Sequence, residues 1–305
     1  MKPRFLIDLD TTSARRLVAL ALAAMAPATL AGTPINQRAA ADPAGQVEIS
    51  NTVGSIVVTG WDRSEVEVTG ELGEGVERLE FSRDKQLTRV KVILPSRSAR
   101  AEDTELLVKV PAGSGLAVNA VSGDVLVKGV RGSQRLQSVS GDVETEVAAE
   151  DVECKTVSGD VRVTGSGQRS LLTVTSVSGD VNLSRVAGEV NGNTVSGNLS
   201  VGMGETSRSR LRSTSGEVRV RSRLAGDARV DFESTSGDVR LDLDGPVNAE
   251  FDLSSFNGDI NNCFGPKAVR TSEYTPGTEL RFRQGAGGAR VRIKAFNGDI
   301  NLCNK

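Results

Sequence analysis

The sequence contains no histidine, and this absence removes several classes of function at once. Without an imidazole the chain has no Ser-His-Asp or Cys-His catalytic site and no histidine-ligated metal centre. Lys and Arg number 37 against 39 Asp and Glu, a formal net charge of −2, so the composition indicates no basic surface for nucleic acid. We therefore expect no nucleic-acid partner.

Aromatic side chains are also scarce, at 3 % of the residues, whereas glycines number 33. A conventional core relies on large rings, because they bury the most area per side chain. This chain must instead pack many Val, Leu and Ile side chains, which predicts a thin core.

Long apolar runs are absent except near the N-terminus. Arg15 and Arg16 precede the run Leu17 to Ala31, which is too short for a good membrane span but is typical of a secretory signal. Small residues allow cleavage before Gly32, and a second candidate follows Ala39 to Ala41. We expect export to the periplasm or cell envelope, with no transmembrane anchor after cleavage, although an uncleaved anchor stays possible at this stage.

What the sequence does contain is a repeat. The letters SVSGDV stand at 138–143, TVSGDV at 156–161 and SVSGDV again at 176–181. The glycine of this motif recurs nine times, at steps of 18–21 residues and one final step of 40. The nine are Gly123, Gly141, Gly159, Gly179, Gly197, Gly216, Gly237, Gly258 and Gly298. A repeat of this length is the signature of a stacked architecture.

Each motif leads into an apolar, polar, apolar triplet such as Val161-Arg162-Val163, the pattern of a strand with one buried face. One repeat cannot bury its own inner face, whereas stacked repeats cover each other. We therefore predict an all-β fold, a parallel β-solenoid (β-helix) with coils of 18–21 residues. The motif would form the corner of each coil: its Gly takes a positive φ, and its Ser and Asp bond nearby backbone.

Two further expectations concern the corner and the chain ends. A valine column before the corner is expected to re-enter the core: Val121, Val139, Val157, Val177 and Val195. Thr278 to Phe296 resembles an antiparallel hairpin, and five of the eight Phe lie at the C-terminal end, where they would plug the core. The predicted organisation is a signal peptide (1–31), a disordered linker (32–44), an irregular N-terminal β region with cap coils (45–114), regular repeats (115–263), and a C-terminal hairpin cap with the last coil (264–305).

The repeats, the opening VEISNTVGSIVVTGWD (47–62) and the closing FNGDINLC (296–303) resemble the bacterial putative-adhesin family of exported β-strand-repeat proteins, a domain of unknown function. The resemblance covers nearly all of the chain after the signal. It implies a β-solenoid in the cell envelope and no catalytic residues.

Three sets of residues are candidates for a site. The corner carboxylates could form a column of Ca²⁺ sites, although each corner offers one carboxylate and Ca²⁺ needs six to eight oxygens; they are Asp124, Asp142, Asp160, Asp180, Asp238 and Asp259. The corner serines have no base beside them and do not indicate a nucleophile. The most basic stretch, Arg208 to Arg229, suggests an anion or glycan face with Arg219, Arg221 and Arg240 on outer positions, or else a solvated surface.

The three cysteines give a sharper expectation. Cys263 and Cys303 each follow a motif glycine by five residues, so they share one column. If the 40-residue step is one coil with an inserted hairpin, the two lie on adjacent coils about 4.8 Å apart, within disulfide range. If it is two full coils, no bond can form. We favour the first case, with Cys154 left as a free thiol.

Taken together, these features predict a non-enzymatic exported module, adhesin-like, acting in binding or as a scaffold. It would be a monomer without cofactors, and its partner would be an envelope protein or a glycan. Two alternative functions are compatible with the sequence. A carbohydrate-active β-helix enzyme would show a groove lined by at least two carboxylates, and a self-assembling filament would expose in-register end coils.

Overall fold

The computed structural model describes residues 32–95, 101–274 and 276–304, so the expected signal peptide at 1–31 lies outside it. In the described ranges the chain is all-β, with 22 strands and no helix, and hence no helix that could cross a membrane. The strands are β1 Thr33–Ala40, β2 Gln46–Trp61, β3 Glu65–Leu72, β4 Arg78–Asp84, β5 Leu87–Ile93, β6 Thr104–Pro111, β7 Gly115–Lys128, β8 Gln134–Ser140, β9 Val143–Val147, β10 Val152–Ser158, β11 Val161–Gly165, β12 Arg169–Ser178, β13 Val181–Ser196, β14 Leu199–Ser215, β15 Val218–Ser236, β16 Val239–Leu243, β17 Ala249–Asn257, β18 Ile260–Asn262, β19 Val269–Arg270, β20 Thr278–Gln284, β21 Ala289–Asn297 and β22 Ile300–Asn304.

Successive repeats pair in parallel and in register, which gives a β-solenoid-like arrangement. The strands before the corner form a first ladder, β2–β7–β8–β10–β12–β13–β14–β15, and those after it form a second, β2–β7–β9–β11–β13–β14–β15–β16. The register matches equivalent residues, as in Val143, Val161 and Val181. Each repeat therefore covers the next, as the spacing of the motif predicts.

The core lies between the ladders and consists of small apolar side chains. Strand alternation sends every second residue inward, so that Val161 and Val163 are fully buried while Arg162 faces solvent. Cys154 occupies such a position between Leu136 and Val174 in the neighbouring repeats. Burying a Val or Leu side chain contributes about 1.5–3 kcal/mol, so many repeated small contributions replace the few large rings of an ordinary core.

The corner glycines are needed because neighbouring repeats approach at backbone contact. Seven of the nine have φ between 132° and 152°, a region that L side chains rarely adopt. Gly123 and Gly258 do not, so the expected positive φ is wrong for these two. At all nine, however, a Cβ would overlap the carbonyl oxygen of the corner glycine in the adjacent repeat. Gly54 begins the same column, because Gly123 stacks on it.

The corner aspartates form a ladder of their own. The backbone N–H of Asp142 donates to Asp124 Oδ1 at 2.9 Å, that of Asp160 to Asp142 Oδ1 at 2.8 Å, and that of Asp180 to Asp160 Oδ1 at 2.8 Å. Asn198 continues the ladder, since its own Oδ1 accepts from Glu217 N at 3.1 Å. An amide oxygen thus replaces the carboxylate without breaking the ladder.

The valine column before the corner does not enter the core, and that expectation is wrong. Its five members are 43–49 % exposed. The residue one place earlier in each repeat is buried instead, and it is small, as in Ser138, Thr156 and Ser176. Strand alternation then turns the valines outward, and the tight inner side of the corner has room only for a short side chain.

At the N-terminal end the antiparallel strands cover the first repeat. β2 lies between β7 on one side and β5 and β6 on the other, and β4, β3 and β1 pair beyond these in antiparallel fashion. The expectation of a disordered linker at 32–44 is wrong for Thr33–Ala40. These residues form strand β1, which pairs with β3 along its whole length. Main-chain hydrogen bonds hold this strand, and Ile35 is its buried side chain. The mostly polar sequence TPINQRAA does not show the pattern of a strand with one buried face.

At the C-terminal end the chain order and the spatial order differ. The last repeat, β21 and β22, lies between β15–β16 on one side and β17–β18 on the other. Gly298 accordingly stacks on Gly237, and Gly258 stacks on Gly298. The expected hairpin over 278–296 is therefore wrong: β20 pairs antiparallel with β17, and β17 separates it from β21. β20 and β19 then end the first ladder as antiparallel strands.

This insertion still makes the two cysteine repeats neighbours. Ile260 pairs with Ile300, and Cys263 and Cys303 form a disulfide with a Cα–Cα distance of 4.8 Å. Cys154 is a free, buried thiol. The expected pairing is present. The inserted antiparallel pair is β19 and β20 rather than a hairpin over 278–296, and the last repeat lies inward of the one before it.

The phenylalanines divide into two groups. Phe251, Phe264 and Phe282 pack together beneath the end of the first ladder, with ring centroids 4.7–6.0 Å apart. Phe256 and Phe296 instead are exposed, so the expectation that they plug the core is wrong. They occupy the same outward column as the exposed valines.

Gly159→Ala should destabilise the chain far more than Asp160→Asn. The added Cβ meets the Gly141 carbonyl and a φ of 140°, at a cost of at least about 2 kcal/mol, whereas Asn keeps the ladder oxygen and should cost under about 1 kcal/mol. Melting midpoints measure both. Gly167→Ala is the matched control, because its φ is 83° but no atom lies within 4 Å of the new Cβ. Equal shifts for Gly159→Ala and Gly167→Ala would contradict the stacking argument.

Reducing the disulfide, or the double variant Cys263→Ser with Cys303→Ser, should lower the melting midpoint. A closed loop of 40 residues is worth up to about 4 kcal/mol in the chain-entropy model. Thiol counting on unfolded, unreduced protein should find one thiol, Cys154. Cys154→Val, which copies its neighbour Val174, is the control and should leave the effect of reduction unchanged. A midpoint that does not respond to reductant would contradict a stabilising role.

Candidate anion-binding site

The insertion of the last repeat assembles a charged outer face on the first ladder. Along β21, Arg290, Arg292 and Lys294 point outward, whereas Val291 and Ile293 between them are buried. The parallel strands β14, β15 and β17 present outward residues in the same register, and antiparallel β20 adds its own at the edge. Five strands from distant parts of the sequence therefore contribute to one surface.

Seven arginines line a cleft of about 850 Å³ on this surface, together with three carboxylates. We call it the arginine cleft: Arg208, Arg210, Arg229, Arg281, Arg283, Arg290 and Arg292, with Asp231, Glu250 and Asp252. On the five strands of the cleft, one register row sets four arginines against one glutamate: Arg208, Arg229, Arg290, Glu250 and Arg283. Glu189 on β13 continues this row and pairs with Arg208 at 3.3 Å. The cleft is thus locally cationic in a chain whose formal net charge is −2.

Several of these charges already have partners. Arg281 Nε donates to Asp252 Oδ1 at 3.0 Å, and this hydrogen bond raises the pKa of Arg281. Arg283 pairs with Glu250, while Arg292 lies 3.6 Å from Asp252. Exposed pairs of this kind contribute little stability, about 0–1 kcal/mol, so they mainly hold the guanidinium groups in place.

Other groups in the cleft lack partners. Within the described residues, Arg210 and Arg229 have no carboxylate within 4.0 Å. Asp231 Oδ1 is buried and, among the same residues, has no hydrogen-bond partner. Asp231 pairs in register with Arg210 and Arg292. The cleft therefore offers free guanidinium donors, the groups that recognise a phosphate, sulfate or carboxylate.

The arginines singled out from the sequence are not in this cleft. Arg219, Arg221 and Arg240 lie outward on the second ladder, where Arg219 and Arg240 face each other in register. Each already has an acidic partner: Glu217, Asp244 at 3.0 Å and Asp242 at 3.1 Å, respectively. The hydrogen bond to Asp244 raises the pKa of Arg221. These acidic partners reduce the attraction of the three arginines for an anion, so an anion face on the second ladder stays a prediction. Arg208, Arg210 and Arg229 of the same basic stretch do lie in the arginine cleft.

Four arginines of the cleft were missed: Arg281, Arg283, Arg290 and Arg292. A signal for them exists in the alternation RFR at 281–283 and RVRIK at 290–294, which is typical of strands with a charged outer face. The alternation does not show where these strands lie in the fold, because no local pattern places them beside Arg208 and Arg229.

The remaining candidates have structural contacts of their own. The corner aspartates use Oδ1 for the ladder to the next repeat, and no three potential metal ligands cluster in the part of the chain that the structure describes. The corner serines pair with each other in register and stay exposed. Burial raises the pKa of the Cys154 thiol to about 12, which keeps it unreactive.

The cleft does meet the simplest requirement of a glycosidase, since it contains more than one carboxylate. Glu250 and Asp252, however, each lie between two arginines: Arg283 and Arg290 for Glu250, and Arg281 and Arg292 for Asp252. Their oxygens are therefore engaged in ion pairs. This arrangement suits the holding of guanidinium groups better than proton transfer to a leaving group.

Comparison with known proteins gives a fold and a family. No curated protein matches the chain. A solved structure described as a putative lipid binding protein from Parabacteroides distasonis has a TM-score of 0.50 at 13 % identity, over 90 % of this chain and 97 % of that one. Putative adhesins from Bacteroides fragilis and P. distasonis have TM-scores of 0.43 and 0.40 at 12 % and 13 % identity, each over 88 % of this chain and 97 % of theirs. At such identities the first likeness concerns the fold alone.

The family model described as Toastrack DUF4097 matches residues 80–303. This range contains all nine corner glycines, the disulfide and the arginine cleft. The resemblance that the repeats suggested is confirmed, and the chain belongs to the Toastrack DUF4097 family.

Proposed function

We propose that this chain is an exported, non-enzymatic, adhesin-like module in which stacked solenoid coils present the arginine cleft to an anionic glycan of the cell envelope. The observation that carries the proposal is the row of four arginines against one glutamate. A cationic row on a chain of net charge −2 is a local feature rather than a consequence of composition.

The chemistry of the cleft favours a ligand with several negative charges. Guanidinium groups present paired donors that match sulfate, phosphate and carboxylate oxygens. Arg208, Arg229 and Arg290 lie in register on adjacent strands, so a polymer crossing the strands meets charges at intervals of about 4.8 Å. Because the site is open to solvent, added salt should weaken binding strongly.

Export is supported by two features. Disulfides such as Cys263–Cys303 persist in oxidising compartments. β1 begins at Thr33, directly after the first candidate cleavage position. The antiparallel strands that end the first ladder favour a monomer over a filament, because they do not offer an in-register parallel edge to a second copy. The parallel edge of the second ladder is β18, which has three residues.

Arg210→Gln with Arg229→Gln should weaken binding to heparin, a sulfated glycan, by at least about tenfold, the effect of losing roughly 1.4 kcal/mol. Titration calorimetry at low salt measures the affinity, with neutral dextran as the negative ligand. Arg219→Gln with Arg240→Gln is the matched control: it removes the same charge from the other ladder and should leave the affinity unchanged. If both pairs weaken heparin equally, binding follows net charge and the cleft is not the site.

N-terminal sequencing of the envelope fraction should find Gly32 as the first residue. Cleavage after Ala41 would remove β1, which pairs with β3 over eight residues and buries Ile35. A chain expressed from Asp42 is the comparison and should melt at a lower temperature than one expressed from Gly32. A mature protein beginning at Met1 in the cytosol would refute export.

A further inference from the structure

The arginine cleft continues along the strands into an exposed aromatic ledge, Phe256 and Phe296. The two rings stack with centroids 4.9 Å apart and planes 4° apart, and the side chains are 49 % and 51 % exposed. Elsewhere in this column the residues are valines or, in the two preceding repeats, Thr214 and Thr235. Phenylalanine therefore replaces the smaller side chains only in the two repeats that also carry the end of the cleft.

The ledge and the arginines share one face. On β21 the outward residues are Arg290, Arg292, Lys294 and Phe296, at every second position. With a rise of about 3.4 Å per residue, Phe296 lies about 14 Å from Arg292 along the strand. A second cleft of about 490 Å³ occupies this interval and is lined by both rings.

The net positive charge of successive register rows across the sheet decreases toward the Phe256–Phe296 ledge. The first row holds four arginines and one glutamate, and the next holds three arginines and two aspartates. The third balances Arg212 and Lys294 with Glu233 and Glu279. The fourth contains only threonines and the two phenylalanines. Between Arg290 and Phe296 on β21, the face thus changes from cationic to neutral to apolar.

We propose that this face binds an anionic amphiphile, with a phosphate or carboxylate headgroup in the arginine cleft and an apolar chain along the Phe256–Phe296 ledge. The inference rests on the anion-binding part of the proposed function and places a single amphiphile, rather than a glycan polymer, at the same site. Charge complementarity selects the headgroup, since Arg210 and Arg229 have no carboxylate partner in the described part of the chain. The separation of about 14 Å from cleft to ledge is close to the length of a chain of ten or so carbons.

An amphiphile accounts for more of the face than a uniformly charged polymer does. A polymer leaves the stacked rings in water, whereas an apolar chain covers them and removes their surface from solvent. The intervening Arg212–Glu233 pair, with Nε and Oε2 2.9 Å apart, is neutral overall and does not oppose the passage of an apolar chain.

The test uses dodecyl phosphate below its critical micelle concentration and butyl phosphate as the short analogue, titrated calorimetrically into the purified exported protein. Dodecyl phosphate should bind at least about tenfold more tightly, because each buried methylene contributes about 0.8 kcal/mol. Phe256→Thr with Phe296→Thr, which copies Thr214 and Thr235, should abolish that difference and leave butyl phosphate unaffected. Val139→Thr with Val157→Thr is the matched control in the same column and should retain it. Arg210→Gln with Arg229→Gln should weaken both ligands.

Other results would overturn the inference in distinguishable ways. If the two phosphates bind equally and heparin still depends on Arg210 and Arg229, the ligand is a plain anion and only the proposed function stands. Dodecyl maltoside binding as tightly as dodecyl phosphate would make the ledge a neutral apolar site. Dimerisation in sedimentation analysis that the Phe→Thr variant removes would assign the ledge to a contact between copies. Failure of both phosphates and of heparin would reject the cleft itself.

Discussion

The backbone contact between corner glycines is the constraint on which the rest of this structure depends. At each corner the neighbouring repeat approaches so closely that no Cβ fits. At most corners the next residue's carboxylate or amide oxygen also accepts a backbone N–H of the adjacent repeat. This contact holds equivalent residues at strand spacing over the whole stack. A core made almost entirely of Val, Leu and Ile can then be continuous, because every small side chain meets the same type of residue in the next repeat.

The same regularity makes the threading of the last repeat possible. Because every repeat presents the same edge, β21 and β22 fit between β15–β16 and β17–β18 as well as they would at the end of the stack. The disulfide then joins the inserted repeat to the one it displaced outward. Antiparallel β20 covers the edge of the first ladder, where Phe251 and Phe282 stack.

The charged face is a consequence of this threading. Arg290 and Arg292 arrive between Arg229 and Glu250 only because their strand is inserted there. In simple chain order β17 would lie directly on β15, and its carboxylates would meet Arg229 and leave a more neutral surface. Ion pairs with Glu250 and Asp252 position part of the arginines, while Arg210 and Arg229 keep their donors for a ligand.

The sequence by itself determined the repeat, the buried strand positions and the corner, because these depend on periodicity and on glycine, which act locally. It also indicated the Cys263–Cys303 pair, since register follows from equal spacing to the corner glycine. The exposed valines were misjudged because the direction of a side chain at a tight corner depends on the room inside it. Only the tertiary structure decided the order of the last repeats, and with it the arginine cleft and the Phe256–Phe296 ledge. Identical repeat edges pair equally well in several orders, so no local pattern could select among them.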